Sequence, residues 1–237
     1  MHGPAFDRSA LPYWEARSRH WRVSAPISPL PDDIRFYEAN AAHFGGEAIA
    51  PRALLLGVTP AIAMMRWPAG TQLVALDWAD GMLHTVFPHG HVAAFAQTLR
   101  GDWREMPIAD ASIDFVVGDG CYSTFTSLEG PAQVNREVAR VLRPGGRFCL
   151  RCHRRADEVT PVPQLFDEFF SGAFHDLDMF RWQLAMSVQG DSPAGVCLDD
   201  VWRIWREHFD LDDCDIPAYE WGEHFPRLTM SPRADSL

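Results

Sequence analysis

Short apolar runs recur along the first two thirds of the chain, separated by stretches with helical spacing. Ala53-Leu54-Leu55-Leu56 stops at Gly57, and Leu73-Val74-Ala75-Leu76 stops at Asp77. Both are apolar at every position rather than at alternate ones, which is what strands buried on both faces require. Ile113–Gly118 and Arg147–Cys152 predict two more strands, and a further one falls near the end of His91–Gly101. Between them lie predicted helices over Ala61–Arg66, Asp80–Phe87 and Val134–Leu142, the last with Val134, Val138 and Val141 on one face. Arg143-Pro144-Gly145-Gly146 is a helix stop and turn. Upstream, Pro31-Asp32-Asp33 opens a helix that runs to about Phe44, because proline and carboxylates suit a first turn, and Gly45-Gly46 closes it. Strands alternating with helices imply crossover connections and hence an α/β fold on a mainly parallel sheet.

Beyond residue 155 the rhythm changes. Gln164–Phe170, Phe180–Val188 and Leu198–Phe209 predict helices, and Phe225–Met230 a final strand. Trp202, Ile204 and Trp205 fit one buried helix face. The chain therefore divides into an aromatic N-terminal arm and helix (1–45), a strand–helix core (50–155) and a cover (156–237). The arm carries Tyr13, Trp14 and Trp21 among several prolines, so it reads as ordered. Two roles are open to these aromatics: a lid over a ligand, or packing on the sheet edge.

Composition narrows the partners. The 237 residues include 32 acidic and 21 basic side chains, all of the latter arginine, for a net charge of −11. A sequence-independent grip on a phosphate backbone needs clustered cations, and the densest cluster is only Arg151, Arg154 and Arg155. The expected ligand is a small molecule, with no nucleic acid and no membrane, for a monomer or homodimer. No run approaches the ~20 apolar residues of a membrane helix, and Met1–Leu11 has no apolar leader core. Five irregularly spaced cysteines point to a reducing, cytoplasmic compartment. Cys149 and Cys152 form a CxxC, but on a strand they face apart, and no second pair completes a metal site.

Candidate chemistry gathers at the strand ends. In open α/β sheets ligands bind outside the carboxyl ends of the strands. Those ends are Gly57-Val58-Thr59, Asp77-Trp78 and Gly118-Asp119-Gly120. A glycine after the first strand admits close backbone approach, and a carboxylate about 20 residues on is where a ribose diol would be gripped.

The segments Ala53–Ala63, Val74–Leu83, Gly101–Gly118 and Glu137–Leu150 stand in an order and at intervals that resemble the successive motifs of the class I S-adenosylmethionine-dependent methyltransferases. The resemblance spans residues 50 to 152 and implies a Rossmann-like fold with S-adenosyl-L-methionine as cofactor. By that resemblance Gly57, Val58 and Thr59 face the methionine moiety and Asp77 takes the ribose hydroxyls. Trp78 and Met82 flank the adenine, whose amine goes to Asp102 beside Trp103. Asp119 and Gly120 line the methionine end and open toward a methyl acceptor. The family usually has two or three glycines in the first loop, whereas here Val58-Thr59-Pro60 follow the single Gly57.

Such an enzyme transfers methyl to an O, N or C nucleophile of a small molecule, and needs a base only where the acceptor must lose a proton. Tyr122 and His153 are the base candidates, His153 because imidazole titrates near neutrality. Tyr13, Trp14, Trp21 and Arg151 are expected against the acceptor. Asp114, ahead of its strand, reads as structural. The altered first loop leaves one alternative, a non-catalytic binding module that serves as a partner subunit. A nicotinamide-dependent oxidoreductase fits poorly, since Val58-Thr59-Pro60-Ala61 cannot give a pyrophosphate the close backbone approach it needs.

Overall fold

The computed structural model describes residues 11–46, 49–125, 127–154, 157–190, 192, 195–208 and the backbone of 227–228. Arg155, Cys214 and Phe209, and Phe225–Met230 apart from residues 227–228, lie outside the described residues.

Five parallel strands form the central sheet: β1 (Arg52–Leu56), β2 (Gln72–Asp77), β3 (Ala96–Arg100), β4 (Ile113–Asp119) and β5 (Leu142–Arg151). Their spatial order is β3-β2-β1-β4-β5, so β1 lies between β2 and β4. Leu54 stands opposite Val74 on one side and Val116 on the other. Both sheet faces are covered, which is why the strands are apolar throughout. Leu55, Ala75, Phe115 and Val117 point into one core cluster, and Leu54, Leu56, Leu76, Ile113 and Val116 into the other.

The first cluster is closed by α2 (Pro31–Ala41), which contributes Tyr37 and Ala41, and by Phe44 on the 3-10 turn that follows. The second is closed by α5 (Glu129–Val141) through Val134, Val138 and Val141. Short helices α3 (Pro60–Ala63) and α4 (His89–Val92) fill the crossovers. The expected helix over Asp80–Phe87 is a π-helical turn at Met82–Val86, closed by the Phe87 N–H on the Met82 carbonyl.

The predicted turn at Arg143–Gly146 exists, but inside β5. Ile113 pairs with Leu142 and Phe115 with Arg147, so residues 143–146 bulge out of the ladder with Gly145 at φ +82°. Asp114 fastens this edge: its carboxylate accepts the Arg52 N–H at 2.6 Å and pairs with Arg143.

The C-terminal third builds its own core. α6 (Val162–Phe170), α7 (Leu177–Gln189) and α8 (Leu198–His208) bring together Leu165, Phe166, Phe180, Leu184, Trp202 and Trp205. The strand β6 (Val196–Cys197) pairs antiparallel with β7 (Arg227–Leu228) in a separate ribbon. The last described helix of the arm, α1 (Leu11–Ser18), lies against the π turn.

Leu55 is fully buried at the centre of the sheet. Leu55→Ala removes buried methyl groups and leaves a cavity that flanking strands cannot close, so it is expected to cost about 3 kcal/mol. Urea unfolding followed by circular dichroism measures it; a loss under 1 kcal/mol would contradict this packing.

Candidate active site

The order β2-β1-β4 puts the sheet's topological switch between β1 and β4, where the chain leaves in different directions and a crevice opens at the strand ends. A cavity of about 290 Å³ occupies that crevice, small enough for a metabolite-sized ligand and too small for a folded partner. Its floor is built from strand ends: Gly57, Val58 and Thr59 after β1, Asp77 and Trp78 after β2, Asp119 and Gly120 after β4. Asp102, Trp103 and Arg104 follow β3, and Met82 of the π turn closes one side. The arm supplies a second wall with Tyr13, Trp14, Arg17 and Trp21, and α7 a third with Asp178, Arg181 and Trp182. His153 lies just past β5.

Gly57 is in the left-handed region at φ +90°, where a side chain is strained. A Cβ there would stand 3.6 Å from Trp103 and 3.9 Å from Asp77 Oδ2, so the missing side chain leaves a cradle between an aromatic face and a carboxylate. Trp103 is locked in place by donating from Nε1 to the Leu76 carbonyl at 2.6 Å. Asp77 Oδ1 accepts the Ala79 N–H at 2.9 Å. Burial pushes the Asp77 carboxyl up to about 7, against the backbone N–H groups of Ala79 and Trp78 that favour its charge, and the Glu15 carboxylate adds to the rise.

Asp102 carries a partner that sequence reasoning did not foresee. Its Oδ1 accepts from the Arg104 N–H and Nε, and its Oδ2 from Nη2 at 2.7 Å. The Arg104 guanidinium in turn lies over the Phe125 ring at 5.7 Å.

Two expectations are corrected. Tyr122 is not on the cavity wall: its hydroxyl donates to Asn135 Oδ1 on α5, and burial raises its pKa to about 12. The residue follows Gly120 into a 3-10 turn, and that turn aims the ring at the helix rather than at the strand ends. Arg151 is also off the wall. It is the last residue of β5, and its guanidinium reaches sideways to clamp three groups. Nε pairs with Asp119, whose Oδ2 also receives Nη2 at 3.0 Å, while Nη1 donates to the Pro26 carbonyl at 2.7 Å and Nη2 to that of Ile27 at 2.8 Å. One side chain thus ties the arm to the end of the sheet.

His153 does face the cavity, but its electrostatics differ from the sequence expectation. Its ring meets Trp182 edge-on at 4.4 Å between centroids. The ring packs beside Gly120, which is left-handed at φ +64° and whose added Cβ would stand 3.5 Å from Nε2, in ordinary contact. Burial, with help from the Arg151 charge, lowers the His153 pKa to about 4. The imidazole is therefore neutral at physiological pH, able to accept a hydrogen bond but weak as a proton acceptor.

The arm is secured at two further points. Glu15 accepts the Gly81 N–H at 2.9 Å, and Ser24 bonds Asp178 Oδ2 through both N–H and hydroxyl, each at 2.9 Å. Tyr13, Trp14 and Trp21 all line the cavity, and Trp14 and Trp21 also pack on the first core cluster.

Residues 56–150 match the family of methyltransferase domains. The match takes in β2, β3, β4 and most of β5, the strands whose ends build the crevice. Over 122 residues, 52% of this chain, the sequence is 29% identical to a malonyl-[acyl-carrier protein] O-methyltransferase of Methylococcus capsulatus and spans 38% of that relative's length. A solved structure from Rhodobacter sphaeroides, described as a Zn-dependent alcohol dehydrogenase, superposes with TM-score 0.58 over 98% of this chain and 85% of its own. At 13% identity that likeness is one of fold. A Methanococcus maripaludis protein described as an S-adenosyl-L-methionine-dependent methyltransferase covers 98% of this chain and 96% of its own, at 18% identity and TM-score 0.46. Among the described residues no helix is long and apolar enough to cross a membrane, and no cluster of metal-ligating side chains occurs.

Because the Asp119–Arg151 pair is largely buried, with side chains 3% and 16% exposed, removing one partner strands the other charge. Arg151→Met is expected to cost about 3 kcal/mol in thermal or urea unfolding. It should also speed tryptic cleavage after Arg19 or Arg22 as the arm loses two anchors; wild-type cleavage rates would contradict the clamp.

Proposed function

We propose that this protein moves a methyl group from S-adenosyl-L-methionine to a small-molecule nucleophile held between the arm and α7. The observation that carries the reading is the buried Asp77 at the end of β2, facing the Gly57 cradle at the end of the neighbouring β1, beside the switch point. The residues fit the cofactor: Gly57 leaves space beside a carboxylate, and Trp78, Met82 and Trp103 offer apolar surfaces for a purine. When bound, the cofactor supplies an activated methyl group on a sulfonium, so the protein needs to add little covalent chemistry.

What this chain adds is placement. Asp77 would accept the ribose hydroxyls, and Asp102, already held by Arg104, retains lone pairs for the adenine amine. Asp119, fixed by Arg151, and Gly120 would shape the methionine end. Tyr13, Trp14 and Trp21 would exclude water above the reacting centre. His153 would orient the acceptor through a neutral ring nitrogen rather than take up a proton. That arrangement suits an acceptor atom that is already a nucleophile at neutral pH. The first loop's departure from the family pattern is compatible with binding, since Gly57 keeps the one left-handed position at the strand end.

Ionised Asp77 is the form that accepts two hydroxyl hydrogens, so cofactor binding lowers its pKa from about 7 and expels a proton at lower pH. Affinity for S-adenosylhomocysteine should therefore rise as pH increases to about 7 and level off above. Tryptophan fluorescence titration reads this directly. Asp77→Asn should bind at least about tenfold more weakly, as expected when charge-assisted hydrogen bonds are lost, and without the pH slope. A wild-type affinity flat from pH 5.5 to 8 would remove Asp77 from the ribose role.

Turnover tests the acceptor half. Incubation with S-adenosyl-L-methionine carrying a labelled methyl and pools of small O-, N- and C-nucleophiles should give labelled product with wild type and none with Asp77→Ala. His153→Ala should slow transfer while sparing S-adenosylhomocysteine affinity. Folded wild-type protein that binds cofactor yet labels no acceptor would favour the non-catalytic alternative.

A further inference from the structure

Among the described residues, the cavity holds one cation that its surroundings do not neutralise. Arg104 is matched by Asp102 at 2.7 Å and Arg181 by Asp178 at 3.2 Å, while behind the wall Arg151 is matched by Asp119. Arg17, in the last turn of α1, lines the same cavity and is only 7% exposed. Its Nη2 donates to the Arg22 carbonyl at 2.9 Å, and its guanidinium carbon lies 5.9 Å from the centre of the Trp21 ring. Its Nη1 is buried and has no hydrogen-bond partner. The nearest acid in sequence, Glu15, is turned to the Gly81 N–H.

A buried guanidinium always carries its charge and brings five N–H donors, so leaving one donor unmet and the charge unpaired is costly. The helix C-terminal dipole and the Trp21 face offset only part of that cost. Six aromatic rings share the walls, Tyr13, Trp14, Trp21, Trp103, Phe125 and Trp182, while Asp102, Asp119 and Asp178 are each matched by an arginine. An aromatic wall with one uncompensated cation is complementary to a ligand bearing one anionic group, and a carboxylate matches a guanidinium edge best.

We propose that Arg17 is the carboxylate-binding residue of the cavity. The proposal deepens the methyl-transfer reading and rests on it for one of two sources of the group: the amino-acid end of the cofactor, or a carboxylate on the acceptor. Arg17 is absent from the sequence-predicted site because nothing local marks it. Its significance lies in the missing partner, which only the fold reveals.

The test uses full-length wild type, Arg17→Gln and Arg17→Lys, with folding checked by circular dichroism. S-adenosylhomocysteine and 5′-methylthioadenosine share the adenosine and the thioether, and only the first bears a carboxylate. Calorimetric titration of both separates the group from the rest of the molecule. If the cofactor supplies it, Arg17→Gln weakens S-adenosylhomocysteine at least about tenfold, the size of one charge-assisted hydrogen bond, and leaves 5′-methylthioadenosine unchanged.

If the acceptor supplies it, S-adenosylhomocysteine affinity is unchanged. Phenylacetate then binds the saturated wild type and fails with Arg17→Gln, while uncharged phenylacetamide binds neither. Arg17→Lys keeps the charge without the fork and should lose less than Arg17→Gln; should the glutamine variant not fold, a severalfold loss confined to carboxylate ligands in the lysine variant carries the same meaning. Arg17→Gln that matches wild type for S-adenosylhomocysteine, with no Arg17-dependent phenylacetate binding, overturns the proposal. Arg17-dependent phenylacetate binding in a wild type that takes neither nucleoside would sustain the anion site and discard the methyl-transfer reading.

Discussion

Leu56 and Gly118 face each other across the last rung shared by β1 and β4, two parallel strands that are not neighbours in sequence. Everything at the site follows from that pairing. It places the end of β1 between those of β2 and β4, so Gly57, Asp77 and Asp119 converge although 62 residues of chain separate the first from the last. The two faces of the sheet are each sealed by their own cluster of apolar side chains, which makes the strand ends a rigid floor. For the proposed methyl transfer that rigidity would supply alignment, the main contribution such a site can make.

Over that floor lies a wall of a different kind. The arm is held by polar contacts: Glu15 to Gly81, Ser24 to Asp178, and Pro26 and Ile27 to Arg151. Each anchor belongs to a different part of the chain, so the arm links the π turn, α7 and the end of β5. Arg151 is the point where wall and floor share one side chain, since the same guanidinium fixes Asp119. Among the described residues, acids and arginines around the cavity are matched locally except at Asp77, raised toward neutrality by burial, and at Arg17. These two are the places where a ligand has most to add.

The sheet was legible because burial on both faces forces apolar residues at every strand position, and Leu54, Leu55 and Leu56 have no other reading. Asp77 was legible for a complementary reason: a carboxylate ending such a run has no place in a core. The π turn was not, because Met82, Leu83 and Val86 satisfy an α-helical pattern equally well. Nor was the bulge at Arg143–Gly146, whose Pro and Gly residues mark a turn without saying that the strand resumes the same ladder. Tyr122 and Arg151 were misplaced for one physical cause. Proximity to a strand end locates a Cα, while a long side chain on a turn or an edge is free to reach elsewhere. Arg104, Arg17, Arg181 and Trp182 escaped notice because their roles are set by partners or neighbours brought together by folding. His153 lines the cavity, and its depressed pKa comes from burial that composition does not encode.

Isothermal titration of the purified protein with S-adenosylhomocysteine tests the central claim, that the crevice between β1 and β4 is a cofactor site, most directly. One-to-one binding in the micromolar range is expected. Absence of heat at millimolar ligand, in a protein whose circular dichroism and cooperative unfolding show it to be folded, would contradict it.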